Sequence, residues 1–175
     1  MHESRTPAEV LWRELERWFR EEDGSSHAGP DLTFSDLEPA DVERVWQFLR
    51  SRSDPLDPQR TTWDAVDEAE VSVAAVLERG AVAAASRCPS LLVVLDGITA
   101  NGVRLPWLGV FLDPRAVALY LWVSDDAGWN PDTVAALATL IGDLLRLAPA
   151  ARLELEWGSY EEFRQAIDAY RSAPS

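Results

Sequence analysis

Lysine does not occur in this chain; all sixteen basic residues are arginine, and there are one cysteine and two histidines among 175 residues. Without lysine there is no Schiff base and no phosphate-loop lysine. His2 and His27 both fall in stretches read as flexible, which leaves no imidazole for Ser-His-Asp or Cys-His catalysis and few routes to a zinc site. Neither G-x-S-x-G nor G-x-G-x-x-G is present. The lone Cys88 has no partner for an internal disulfide. It stands before Pro89 and an apolar run, where a buried structural thiol is the expected reading. Long apolar runs are missing too. Leu91 to Leu95 and Thr133 to Leu145 fall short of the about 20 residues of a membrane span, and Asp143 interrupts the second. The first twenty residues lack an apolar signal core, so the expected location is cytoplasmic.

What is abundant is acid and tryptophan. The net charge is −14 and eight residues are Trp. Binding to nucleic acid rests on clustered Lys and Arg, so a chain this acidic is expected to bind none directly and to prefer a basic protein. The acidity is spread along the chain, with 19 acids against 10 Arg over residues 1–88 and 11 against 6 over 89–175. At 47% hydrophobic and 26% charged, the composition is that of a folded globular chain.

Three segments share one helix-start grammar: Thr6-Pro7-Ala8-Glu9-Val10, Glu38-Pro39-Ala40-Asp41-Val42 and Asn130-Pro131-Asp132-Thr133-Val134. Proline at the first helical position loses no hydrogen bond, and an acid in the first turn suits the helix dipole. Thr6 with Glu9 reads as a capping box. Apolar stripes follow at Leu11, Leu15, Trp18 and Phe19, then at Val42, Val45, Trp46 and Leu49. Residues 24–33 and 53–62 read as loops, and Trp63 to Arg79 as a third helix ending at Gly80. Residues 81–87 can continue as helix to Pro89.

From Ser90 the period changes. Leu91 to Leu95, Trp107 to Leu112 and Ala116 to Val123 read as three antiparallel strands, with a hairpin signal at Asn101-Gly102 and a tight turn at Asp113-Pro114-Arg115. A helix from Pro131 to Leu147, an alternating strand from Arg152 to Trp157, and a last helix capped by Ser159 complete the chain. The expected fold is α/β, three N-terminal helices then βββαβα, with helices on a four-stranded mixed sheet. The division is a helical part at 1–88 and a sheet part at 89–175, together forming one compact unit. Val94, Val110, Leu119, Leu121, Leu137, Ile141, Leu155 and Phe163 are the expected core.

Leu92-Val93-Val94-Leu95-Asp96-Gly97 places an acid at the end of the first strand. With the order of strands and helices after Ser90, it resembles the ribonuclease H-like fold, whose acids lie on the first strand, the first helix and the end of the fourth strand. The resemblance implies a metal-dependent nuclease with Asp96 and Asp132 in the first two places. Trp157-Gly158-Ser159 stands at the third, and Glu156 is the nearest acid. Two-metal phosphoryl chemistry needs several converging oxygens, so the incomplete set argues against activity. No cofactor and no metal site is expected, and Asp125-Asp126 before Gly128 lacks the spacing of a calcium loop.

Elimination thus favours a non-enzymatic module that docks on a basic protein, of inhibitor or immunity-protein type. The nuclease and a structural subunit of a larger assembly are the alternatives. The expected docking residues are Trp107, Trp122 and Trp129, with Asp125 and Asp126 as nearby charges.

Overall fold

The computed structural model describes residues 6–20, 27–29, 31–124, 127–155 and 160–173. The helix-start grammar is realised three times. Helix α1 (Pro7–Leu15) has the capping box: the Thr6 hydroxyl accepts from the Glu9 amide, and the Thr6 amide donates to the Glu9 carboxylate at 2.7 Å. A 3-10 turn, Glu16–Trp18, extends it. Helix α2 (Pro39–Arg50) follows Glu38, and α5 (Pro131–Leu147) is capped by Asn130, whose side chain accepts from the amides of Asp132 and Thr133. Each stripe is buried as its 3.6-residue period requires: Leu11, Leu15 and Phe19 on the first, and Val42, Val45, Trp46 and Leu49 on the second.

Two segments depart from expectation. The polar connection ahead of α2 contains β1 (His27–Ala28) and β2 (Leu32–Ser35), so His27 belongs to the folded sheet rather than to a flexible loop. Residues 63–79 do not form one helix. A hairpin of β3 (Thr61–Asp64) and β4 (Ala69–Ser72) comes first, and only Val73–Leu77 is helical, as α3. The β-branched and aromatic residues Thr61, Thr62, Trp63 and Val71 suit a pleated ribbon better than a helix. The Asp64 carboxylate then accepts the amides of Val66 and Asp67, which closes the turn locally. Helix α4 (Ala81–Arg87) starts after Gly80, whose φ of +98° is one that an L side chain rarely adopts.

Asp64 also ties the hairpin to the body. It is buried and receives the Nε of Arg87 at 2.8 Å. Burial pushes its carboxyl up, but the Arg87 guanidinium and the two turn amides outweigh this and hold it below the ordinary 3.8. A depressed folded value means stability that is fully present above the unfolded value near 3.8 and is lost as pH falls through the lower folded one. The hairpin should therefore loosen only below about pH 4. Exposed Trp63 is the reporter. Its fluorescence should change in that acid range in the parent, and Asp64→Asn should remove the transition. Persistence of the transition in Asp64→Asn would exclude this carboxylate as its source.

The meander is as expected: β5 (Leu91–Leu95), β8 (Leu108–Asp113) and β9 (Ala116–Val123), with a small hairpin of β6 (Thr99–Ala100) and β7 (Val103–Arg104) turning at Asn101-Gly102. The protein is mixed α/β, but the sheet differs from the four-stranded mixed one expected. Its order is β10-β2-β9-β8-β5, where β10 is Arg152–Leu155, and every neighbouring pair is antiparallel. Strand β2, from before residue 88, is inserted between β9 and β10, both of which pair with it antiparallel and so run in the same direction. Two strands of one direction need a long crossover, and α5 supplies it.

Helix α6 (Tyr160–Ser172) and α1 pack with α5, and α2 packs with α4, α5 and β9. The inward strand residues Leu91, Val93, Leu95, Leu108, Val110, Leu112, Val117, Leu119, Leu121, Leu32 and Phe34 are all buried with the helix stripes in one core. Of the expected core, Val110, Leu119, Leu121, Leu137, Ile141 and Phe163 are buried. Val94 and Leu155 are half-buried, because Val94 alternates to the outer face and Leu155 ends an edge strand. Among the described residues no helix is long and apolar enough to cross a membrane.

Candidate docking face

Alternation along the strands divides the sheet into two unequal faces. The inner face lies under the helices. Outward point Leu92 and Val94 from β5, Gly109 and Phe111 from β8, Ala118, Tyr120 and Trp122 from β9, Thr33 from β2, and Arg152 and Glu154 from β10. Leu92 is 48% exposed and Phe111 36%. The two sit opposite each other in the register, with Ala118 opposite Phe111 on the other side. An antiparallel sheet with one wet face normally carries polar residues there. Here three adjacent strands present aliphatic and aromatic side chains to solvent, the kind of patch that marks an interaction surface.

Two expected docking residues meet on this face. Trp107, just before β8, stacks on Trp122 with ring centroids 6.1 Å apart and planes at 21°. Both are half-buried. Trp129 lies elsewhere: its ring is buried against Phe19 at 4.8 Å, among the core residues. Its indole N–H donates to the carbonyl of Trp122 at 2.8 Å, so it holds the half-buried Trp122 from behind. Asp125 and Asp126 lie outside the described residues. Gly109 shapes the middle of the face, because a Cβ there would be 2.9 Å from the Cβ of Tyr120 and 3.2 Å from the Cδ1 of Leu92. These side chains close over the glycine, and even an alanine would push them apart.

The free edge of β5 is flanked rather than open. The amide of Asp54 donates to the carbonyl of Asp96 just beyond one end of the strand, and the amide of Ala65 donates to the carbonyl of Arg87 before the other. The chain between runs past β5 with Pro55 and Pro58 and a partly buried Leu56. Covering an edge in this way suppresses strand addition there.

Of the alternative catalytic residues, Asp96 and Asp132 stand on separate elements. Asp96 follows β5, whereas Asp132 opens α5 after β9, and both are exposed. Strand β8 lies between β5 and β9, whose axes are therefore roughly 10 Å apart. Glu156 lies outside the described residues. Strand β10 pairs with β2 and not with the meander. Among the described residues, no group of three or more His, Cys, Asp or Glu is placed to hold a metal. Cys88 is buried, and burial together with the Asp64 charge pushes its thiol above the usual value against the opposing pull of Arg87. A thiol so protonated and enclosed is a poor nucleophile.

Comparison with protein families, curated proteins and solved structures finds no match to this chain. The functional reading therefore rests on the site alone. Sequence inspection missed Leu92, Val94, Phe111 and Tyr120 as surface residues. Apolar residues in a strand read as core until the second face is known to lie bare.

Proposed function

We propose that this chain is a non-enzymatic protein-binding module that docks a basic protein on the open face of its sheet, in the manner of an inhibitor or immunity protein. The observation that carries the reading is the apolar face that no described helix covers, with its Trp107–Trp122 stack. Stacked aromatics on a sheet supply buried area at small entropic cost, as binding hot spots do. Charge selects the occupant. The side chains across the centre of the face are uncharged, while Asp96, Asp113 and Glu154 stand exposed at its margins, the last paired with Arg152 at 4.0 Å, on a chain of net charge −14. A second copy brings the same acidic field and is repelled. A basic protein is drawn in and meets the aromatic anchors.

The test is affinity capture from the source cell in parallel with the parent and a Trp107→Ala/Trp122→Ala variant, followed by sedimentation of the parent alone. A basic protein retained by the parent and lost with the double variant supports the reading. A basic partner held equally by both, or a stable dimer of the parent that the double variant abolishes, overturns it.

A further inference from the structure

Helices α1, α5 and α6 and the β6–β7 turn enclose a cleft of about 440 Å3, remote from the open sheet face. Its polar lining is Arg146 and Thr139 from α5, Tyr170 and Arg171 from α6, and Asn101 from the turn, with no carboxylate among the described residues. That is unusual here. Three other clefts on this acidic chain carry Glu14, Glu154 with Asp168, or Glu14 with Glu16 and Glu162.

Arg171 is exposed, and its side chain crosses α5 at Gly142, where a Cβ would stand 2.5 Å from its Nε and 2.8 Å from its Cζ. A side chain at this position would displace the guanidinium from the helix. No acid among the described residues pairs with it. Arg146 gives one N–H to Asp143 and retains others. The Thr139 hydroxyl donates to the carbonyl of Ala135, so the donors left for a ligand are the two guanidinium groups, the Asn101 amide and the Tyr170 hydroxyl.

We propose that this cleft binds a phosphate monoester of a small molecule, with the phosphate on Arg171 and Arg146 and the Asn101 amide beside it. Planar guanidinium forks match phosphate oxygens in pairs. The cleft is several times larger than one phosphate and falls in the size range of small-molecule sites, so it leaves room for the esterified group.

The experiment is calorimetric titration of the full chain with inorganic phosphate and with glycerol 3-phosphate, at constant ionic strength set with chloride. Saturable 1:1 binding is expected for both, tighter for the ester, and at least tenfold weaker in Arg171→Gln. Gly142→Ala, which keeps the charge but displaces the guanidinium, should weaken binding similarly. Arg171→Gln alters an exposed side chain and should keep the parent melting temperature, so it decides the matter even where Gly142→Ala folds poorly. Binding that does not saturate, that chloride reproduces, or that Arg171→Gln leaves unchanged overturns the proposal.

Discussion

Phe34→Ala should destabilise the protein by about 3–5 kcal/mol, the usual cost of truncating a fully buried aromatic side chain. Phe34 is completely buried on β2, opposite Leu153 of β10 and Val117 of β9. It therefore sits where the N-terminal strand joins the meander to the last strand, and the cavity left behind has rigid sheet on both sides. Leu121→Ala, also fully buried, on β9, should cost about 2–5 kcal/mol. Thr33→Ala is the control. It lies on the same strand facing outward, and a surface change of this kind should stay within about 0.5 kcal/mol. Urea unfolding monitored by tryptophan fluorescence measures all three. A loss below about 1 kcal/mol for Phe34→Ala would mean that β2 is not a structural strand of the folded sheet.

Trp122→Ala should weaken binding of a basic partner by about 30-fold to several hundred-fold, corresponding to the roughly 2–4 kcal/mol of an aromatic hot spot. Most of this loss should appear as faster dissociation, since contact quality acts mainly there. Salt should act on the other rate. As ionic strength passes about 0.15 M, where charges are screened over about 8 Å, association should slow steeply while dissociation changes little. Trp129→Phe separates support from contact. It keeps a ring against Phe19 but loses the N–H that holds the carbonyl of Trp122, so it should cost about 1 kcal/mol of stability and only part of the affinity. Surface plasmon resonance at two salt concentrations, with unfolding curves for each variant, distinguishes these effects. An affinity insensitive to both Trp122→Ala and Phe111→Ala would exclude the open face as the docking surface.

The helix starts, the meander and the composition of the core were legible in the amino-acid sequence because they depend on local chemistry. Proline at N1, the Thr6–Glu9 box and the Asn130 cap act within four residues, and the apolar periods of α1, α2 and α5 are read along one segment. The hairpin at residues 61–72 was not legible. Its Ala- and Glu-containing stretch also satisfies a helix, and a long-range bond from Arg87 to Asp64 helps hold the ribbon in place. Strand β2 is four residues long and adjoins a Gly- and Pro-containing link, so only pairing on both sides makes it a strand.

The docking face shows the same division. That Trp107 and Trp122 flank the meander is a matter of sequence, but that Trp122 faces outward and Trp129 inward depends on which side of the sheet the helices cover. Alternation assigns Leu92, Val94, Phe111 and Tyr120 to one face without saying whether anything lies over it. Burial is decided by long-range packing: helices α1, α2, α5 and α6 all have their apolar stripes on the same inner core, and among the described residues no helix is left for the outer side.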